Sequence, residues 1–262
     1  MIEVKNLTKR YGDATVLDHV TVRIEKGKIT SLIGPNGAGK STMLSMISRL
    51  LARDEGEVFI DGEEISSISN REMAKQLSIL KQDNRVSVRL TVHDLVSFGR
   101  FPYSQGRLTA EDHEEINKAI SYLQLEPFVD RFLDQLSGGQ RQRAFVAMTL
   151  CQNTDYILLD EPLNNLDMKH SVQIMQMLRR LVDELDKTIV LVLHDINFAS
   201  CYSDRIIALK NGKLAKDGDV NEVINTASLA EIYEMEIPIE EIDGKRIGVY
   251  FRSNVMGFMA AD

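Results

Sequence analysis

Gly34-Pro35-Asn36-Gly37-Ala38-Gly39-Lys40-Ser41-Thr42 lies between an apolar run, Ile29–Ile33, and a segment with Met43, Leu44, Ile47 and Leu51 at helical spacing. The stretch satisfies G-x-x-x-x-G-K-[ST] at every fixed position, with a strand pattern before it and a helix pattern after it. Glycines there let backbone N–H groups converge on phosphate oxygens with no Cβ in the way. A helix starting after Gly39 adds its positive dipole end. Lys40 is then placed to reach the β- and γ-phosphates of a nucleotide, and the Ser41 hydroxyl to ligate Mg²⁺. The plain alternative is a glycine-rich turn with no ligand.

Two more runs, Tyr156–Leu159 and Thr188–Leu193, are nearly all apolar and also lead into helix-like segments. Strands buried on both faces of a parallel sheet have this composition. Such sheets bind ligands beyond the carboxyl ends of their strands. The residues at those ends are Gly34, Asp160-Glu161 and His194. Adjacent carboxylates repel unless positive charge faces them. Mg²⁺ carried by a nucleotide would supply it, with Asp160 holding the metal's water shell and Glu161 polarising the attacking water. An acidic helix start is the other reading of this pair.

The first 25 residues alternate instead: Ile2 and Val4, then Val20, Val22 and Ile24, share one face at period two. This predicts antiparallel strands with one wet face, and Glu57–Asp61 repeats the pattern up to an Asp61-Gly62 turn. Between Arg85 and Cys151 strand signals stop. Thr109–Asp112 reads as a capping box, Ile116, Ala119, Ile120 and Leu123 follow at helical spacing, and Phe128, Phe132 and Leu136 continue an apolar stripe. Residues 86–150 are therefore expected to form an inserted helical subdomain. Beyond Pro238 the pattern turns extended, with Ile242–Lys245 as a turn and Val249–Phe251 as a strand.

Leu136-Ser137-Gly138-Gly139-Gln140 opens a further helix running through Arg143, Val146 and Leu150. Ser137 and Gln140 make a capping box, so a well-capped helix is the ordinary account. Two glycines in its first turn are poor helix formers, however, at up to about 1 kcal/mol each. Bare backbone at a positive helix end suits close approach by an anion. Because one phosphate cradle is already present, a second points to use on a neighbour's nucleotide.

The chain has 262 residues, 44% hydrophobic and 27% charged, with a net charge of −8. That composition supports a real core and argues against nucleic acid as the main partner. No apolar stretch approaches the roughly 20 residues of a membrane span. The start lacks a basic segment followed by an apolar one, so no secretory leader is expected. Cys151 and Cys201 are far apart, and His19, His93, His113, His170 and His194 show no metal-ligand spacing, which makes a disulfide framework or zinc site unexpected and fits a reducing compartment.

Taken together, these motifs resemble the ATP-binding cassette ATPases, the nucleotide-binding subunits of ABC transporters. Gly34–Ser41 matches the family's Walker A, Ile157–Glu161 its Walker B with the catalytic glutamate, and Leu136–Gln140 its LSGGQ signature. Tyr11 matches the aromatic that stacks on adenine, although read alone it is a surface or turn tyrosine. Gln82 matches the Q-loop glutamine, which the resemblance implies as a metal ligand and a catalytic residue. His194 matches the switch histidine; as a cap for the following helix, His194 and Asp195 are equal candidates. The motifs cover about residues 2–236, leaving 237–262 as an extension. The family's S-A-L-D here reads Asn164-Asn165-Leu166-Asp167, keeping Asp167.

The resemblance implies a P-loop NTPase core of α/β class, with a mostly parallel sheet, an N-terminal antiparallel β subdomain and the helical insertion. It implies ATP and Mg²⁺ as cofactors and a homodimer sandwiching two ATPs, in which Ser137, Gly138, Gly139, Gln140 and Asp167 serve the opposite nucleotide. With no membrane span in the chain, separate permease subunits would dock near Gln82–Phe101, including Arg85, Arg89 and Arg100. An extracytoplasmic substrate-binding protein would take part indirectly, and the subunit would sit peripherally on the cytoplasmic face of the membrane. Leu90–Tyr103 resembles the ATPases of ferric-siderophore, haem and cobalamin importers, and Glu161–Asp167 the ferric-siderophore branch. The alternatives are another cargo, such as haem or cobalamin, or a soluble ABC ATPase acting on DNA or ribosomes. A P-loop kinase or switch protein would have no use for Leu136–Gln140.

Overall fold

A computed structural model describes residues 1–82, 88–164 and 166–252. Arg85, Asn165, the tail 257–262 and the expected start of the insertion at residue 86 lie outside the described residues. The chain divides into two compact units, residues 1–65 with 190 onward, and residues 66–189.

In the first unit, β1 (Ile2–Tyr11) and β2 (Ala14–Ile24) are antiparallel, with Ile2 opposite Ile24 and Val4 opposite Val22. The inward residues Ile2, Val4, Val20, Val22 and Ile24 are all buried, as the alternation predicts. Every residue of β3 (Ile29–Ile33) is buried, and the glycine-rich loop leads from it into α1 (Lys40–Ile47). β4 (Glu55–Ile60) returns antiparallel to β1 and turns into the short β5 (Glu63–Glu64). The turn residues Asp61 and Gly62 stand at φ 52° and 86°, the left-handed pair of a tight hairpin.

The second unit opens with α2 (Asn70–Gln76), capped by Ser69, and runs without a break into β6 (Leu77–Leu80). α3 (Val92–Ser97), α4 (Phe101–Ser104), α5 (Ala110–Tyr122) and α6 (Gly138–Cys151) follow, with no strand among the described residues between them. The capping box at Thr109–Asp112 forms as expected, and a second one forms at Thr91–Asp94. Phe128, Phe132 and Leu136 do not extend a helix. Gln124 at φ 53° ends α5, and Glu126–Phe128 and Leu133–Gln135 are separate 3-10 turns. β7 (Tyr156–Asp160) is buried throughout and pairs in parallel with β6, Leu77 opposite Tyr156. α7 (Met168–Leu185) closes the unit.

Arg100 corrects the docking reading. It is only 3% exposed, and its Nε donates to Asp112 Oδ1 at 2.8 Å while Nη1 donates to the Cys151 carbonyl at 3.1 Å. It braces the helices from inside and cannot present its charge to a permease. Asp112 also accepts from the Thr109 backbone N–H and hydroxyl. Burial pushes the Asp112 carboxyl up, but these donors and the Arg100 guanidinium outweigh it and hold it below its ordinary range.

From β8 (Thr188–Val192) the chain re-enters the first unit through α8 (Ile196–Tyr202), β9 (Arg205–Lys210), β10 (Lys213–Gly218), α9 (Val220–Val223), α10 (Thr226–Tyr233), β11 (Ile239–Ile242) and β12 (Lys245–Gly248). β9 is parallel to β3, Thr30 opposite Arg205, and β10 is antiparallel to β9. β8 flanks β3 on the other side. The β11–β12 hairpin turns where expected and docks on α8: the Gly248 N–H donates to Asn197 Oδ1 at 2.7 Å, and the Ser200 hydroxyl to the Arg246 carbonyl at 2.6 Å. The expected strand at Val249–Phe251 is instead a 3-10 turn over Tyr250–Arg252. The Val249 N–H closes the ladder on the Pro238 carbonyl at 2.9 Å, and proline has no N–H with which to continue it.

Candidate functional site

The glycines of Gly34–Thr42 are dictated by their surroundings. Gly34 stands at φ 135°, and a Cβ there would lie 2.0 Å from the Leu209 carbonyl oxygen. Gly39, at φ 97°, would drive a Cβ to 2.8 Å from both Leu17 Cδ2 and the Val16 carbonyl oxygen. The loop is thus held tightly on one side, and the Gly34 N–H donates to the Tyr233 hydroxyl at 3.2 Å. Burial pushes that phenol up to about 12, so it stays neutral. Nothing in the sequence pointed to Tyr233, which is 199 positions away.

Gly39 is the N-cap of α1 and supplies no side-chain cap, and the first turn holds no acidic residue. No side chain of the N-cap residue covers this end of α1, and the end is electropositive. Lys40 is 5% exposed, and its Nζ donates to the carbonyls of Gly34 at 2.8 Å and Pro35 at 2.9 Å. A glycine cradle, an uncapped helix start and a lysine folded along the loop fit a nucleotide's phosphates. Asn36 and Gly37 are exposed at the loop's crest, Ala38 is buried, and Ser41 and Thr42 are half-buried in the first turn.

Elsewhere in this unit, Tyr11 ends β1 with 54% of its surface exposed, and the Lys9 ammonium lies 5.3 Å from its ring centroid. His194 is exposed two residues after the end of β8. The cap of α8 is Asp195, whose Oδ1 accepts from the N–H groups of Asn197 and Phe198 at 2.7 and 3.3 Å. That settles the choice between the two residues and leaves His194 outside the capping role.

In the second unit, Asp160 ends β7 and is buried, while Glu161 is half-buried at φ 52°. The left-handed region is strained for a residue with a side chain. No helix starts at the pair: α7 begins at Met168 with Asp167 as its cap, which removes the acidic-helix-start reading. Gln82 Nε2 donates to Glu161 Oε2 at 2.6 Å, and the Asn164 amide donates to the same oxygen. Gln82, Glu161 and Asn164 are thus brought together, although only the first two were expected at a site. With Nε2 given to Glu161, Oε1 is the Gln82 atom suited to a hard cation. Within this unit the Asp160 carboxylate and this amide oxygen are oxygen donors of the kind Mg²⁺ takes.

Ser137 caps α6, accepting from the Gln140 N–H at 3.3 Å, while Gln140 Oε1 accepts from the Ser137 N–H at 3.0 Å. Ser137 and Gly138 are exposed and Gly139 is buried. Asp167 Oδ1 accepts from the His170 backbone N–H at 2.9 Å and lies 2.7 Å from its Nδ1. These contacts, the backbone one first, hold the Asp167 carboxyl below its ordinary range.

The sequence profile of the ABC transporter family matches residues 17–164. The chain is 64% identical to the petrobactin import ATP-binding protein YclP of Bacillus subtilis (strain 168), over 96% of this chain and 100% of that one. It is 52% identical to the petrobactin import ATP-binding protein FatE of Bacillus anthracis, over 95% of this chain and 100% of that one. The ferric enterobactin transport ATP-binding protein FepC of Escherichia coli (strain K12) is 39% identical, over 90% of this chain and 88% of that one. Among solved structures, a bacterial ABC transporter cassette seen as a dimer matches with a TM-score of 0.75 and 36% identity, over 84% of this chain and 99% of that one. Fold class and function class therefore agree with the sequence expectation.

Proposed function

The chain belongs to the ABC transporter family, and from that premise we propose that it is the ATP-hydrolysing subunit of an importer that takes up a ferric siderophore through separate permease subunits. The observation that carries the nucleotide part is the uncapped start of α1 behind a glycine cradle, with Lys40 lying along the loop. Relatives named for petrobactin, at 64% and 52% identity, support the cargo and make ferric petrobactin the first candidate.

Each residue has a role in this reading. Tyr11 stacks on the adenine. The amides of residues 34–42 and the Lys40 ammonium bind the phosphates. Ser41, Gln82 and Asp160 are the residues that would hold Mg²⁺, which would shield the phosphate charge. Glu161 accepts a proton from the attacking water, and His194 contacts the γ-phosphate as it leaves. Ser137, Gly138, Gly139, Gln140 and Asp167 serve the nucleotide of a second copy. The sequence boundaries are carried as part of the proposal: an ATPase domain over 2–236 with its insertion at 86–150, and an extension over 237–262. A permease docks on the second unit, where Phe98 and Phe101 are exposed and Arg89 stacks 3.9 Å over Phe132. An extracytoplasmic binding protein delivers the cargo, and the subunit works peripherally at the cytoplasmic face of the membrane. No helix among the described residues is long and apolar enough to cross a bilayer.

The test is complementation. A strain lacking this gene should lose uptake of radiolabelled ferric petrobactin and regain it with the wild-type chain but not with Lys40→Ala. Uptake unaffected by deletion would overturn the cargo, and absence of ATP hydrolysis by the purified permease complex would overturn the ATPase reading.

A further inference from the structure

Gly139 has a neighbour that a free anion site does not explain. An ideal Cβ at this position would lie 2.4 Å from His170 Cδ2, 2.6 Å from Cγ and 3.0 Å from Nε2. The imidazole thus occupies the space of a side chain at the second residue of α6. Ser137 and Gly138 beside it are exposed, but Gly139 is buried. The ring is not loose, for 29% of the His170 side chain is exposed and its Nδ1 lies 2.7 Å from Asp167 Oδ1. An ionised carboxylate can only accept, so the Nδ1–H donates. The same Asp167 oxygen takes the His170 backbone N–H as the cap of α7. One short chain of contacts therefore runs from Asp167, through the ring, to the first turn of α6.

We propose that His170 is a positioning residue that ties Asp167 to the amide end of the signature helix, fixing the direction in which Ser137–Gly139 meet an anion. The catalytic part of this rests on the ATPase reading above; the packing part does not. Two requirements meet around Gly139. Ser137 and Gly138 beside it are exposed where an anion would approach, and its own missing Cβ admits the ring from inside. Displacing the ring breaks the Nδ1–H bond to Asp167, so a change at either end is felt at the other. Misplacing a binding group by an ångström or so can cost roughly a hundredfold in rate, which is why a residue touching no substrate can matter.

The experiment is a double-mutant cycle on the full chain in its permease complex, with Gly139→Ala, His170→Ala, the double variant and His170→Asn, read by thermal unfolding and by ATP hydrolysis. Gly139→Ala should lower Tm and cut kcat about tenfold in the native background, but add less than about threefold in the His170→Ala background, where the methyl has room. His170→Ala should lower kcat about tenfold with KM for ATP within about twofold, the pattern of lost alignment rather than lost binding. His170→Asn, whose amide superposes on Cγ, Cδ2 and Nδ1 of the ring, should restore kcat to within about twofold of wild type. A merely structural histidine would not give that split together with rescue. Additive losses in both readouts, or wild-type kcat in His170→Ala, would overturn the proposal. Lys40→Ala is run alongside: if it hydrolyses ATP like wild type, the ATPase reading falls, and the melting cycle alone then upholds or overturns the tie.

Discussion

The side-chain amide of Gln82 donates a hydrogen bond of 2.6 Å to Oε2 of Glu161, 79 positions away in the chain. The Asn164 amide reaches the same oxygen from three residues downstream. Two donors on one oxygen fix the direction of the carboxylate, on a residue whose left-handed φ costs about 1–2 kcal/mol. A strained, doubly tethered acid at the mouth of a buried strand suits the role proposed for it.

Glu161→Gln should keep ATP affinity and lower turnover at least about a hundredfold, the usual weight of a general base. Its amide oxygen can still accept from Gln82 and Asn164, so the fold should not change. An ATP-bound dimer should then accumulate on size exclusion. Turnover within about threefold of wild type would remove the residue from this role.

Lys40→Ala should weaken binding itself. A charge-assisted hydrogen bond contributes about 1.5–3 kcal/mol. Because the ammonium already rests on the carbonyls of Gly34 and Pro35, binding replaces those bonds rather than adding to them. The expected loss is therefore near the lower end, about tenfold in Kd by fluorescent-nucleotide titration. An unchanged Kd would contradict the cradle.

Ser137 gives the test of the signature helix in trans. Gly139→Asp would be ambiguous, since its Cβ strikes His170 within the same chain. Ser137→Asp keeps a good N-cap and adds negative charge at an exposed position. Ser137→Asn keeps the cap without the charge. Like charges 4 Å apart repel by about 4 kcal/mol at an effective dielectric near 20. Ser137→Asp should bind ATP as a monomer but fail to dimerise or turn over, while Ser137→Asn dimerises. Equal behaviour of the two would mean that no phosphate approaches this end.

Asp112 supplies a stability prediction. Asp112→Ala strands the buried Arg100 guanidinium and should cost about 3 kcal/mol at pH 7 by urea unfolding. The folded carboxyl lies below its ordinary value of 3.8. Its contribution is thus fully present above that value and is lost as pH falls through the folded value. The gap between wild type and Asp112→Ala should hold from pH 7 to about 5 and shrink below about pH 4. A gap that widens on acidification would reverse the sign of the argument.

How much was legible depended on whether a residue's reason was local. Gly34 and Gly39 could be read because a tight loop demands glycine wherever it occurs, and the Ser137–Gln140 box because its partners are three residues apart. The alternation of β1 and β2 follows from the period of the strand. Arg100 misled because the resemblance places the docking groove by sequence position, over Gln82–Phe101, whereas its partners Asp112 and Cys151 come from other helices. Tyr233 beneath Gly34 was beyond reach for the same reason. β6 was hidden because no glycine or proline separates Gln76 from Leu77. The β9–β10 hairpin did carry a readable signal in Asn211-Gly212, at φ 50° and 76°, which the expectation passed over.

The Lys40 ammonium, resting on two carbonyls of its own loop, also bears on how such a subunit lets go. An ATPase that works in cycles must shed its spent nucleotide as readily as it takes a fresh one. If the lysine had no other acceptor, each departure would leave a nearly dry cation behind, and that desolvation would slow release. In the role proposed for Lys40, the ammonium would return to Gly34 and Pro35, whose oxygens act as an internal counterligand. The loop would then offer two resting places for one charge. The difference between them would bear on how long a nucleotide stays.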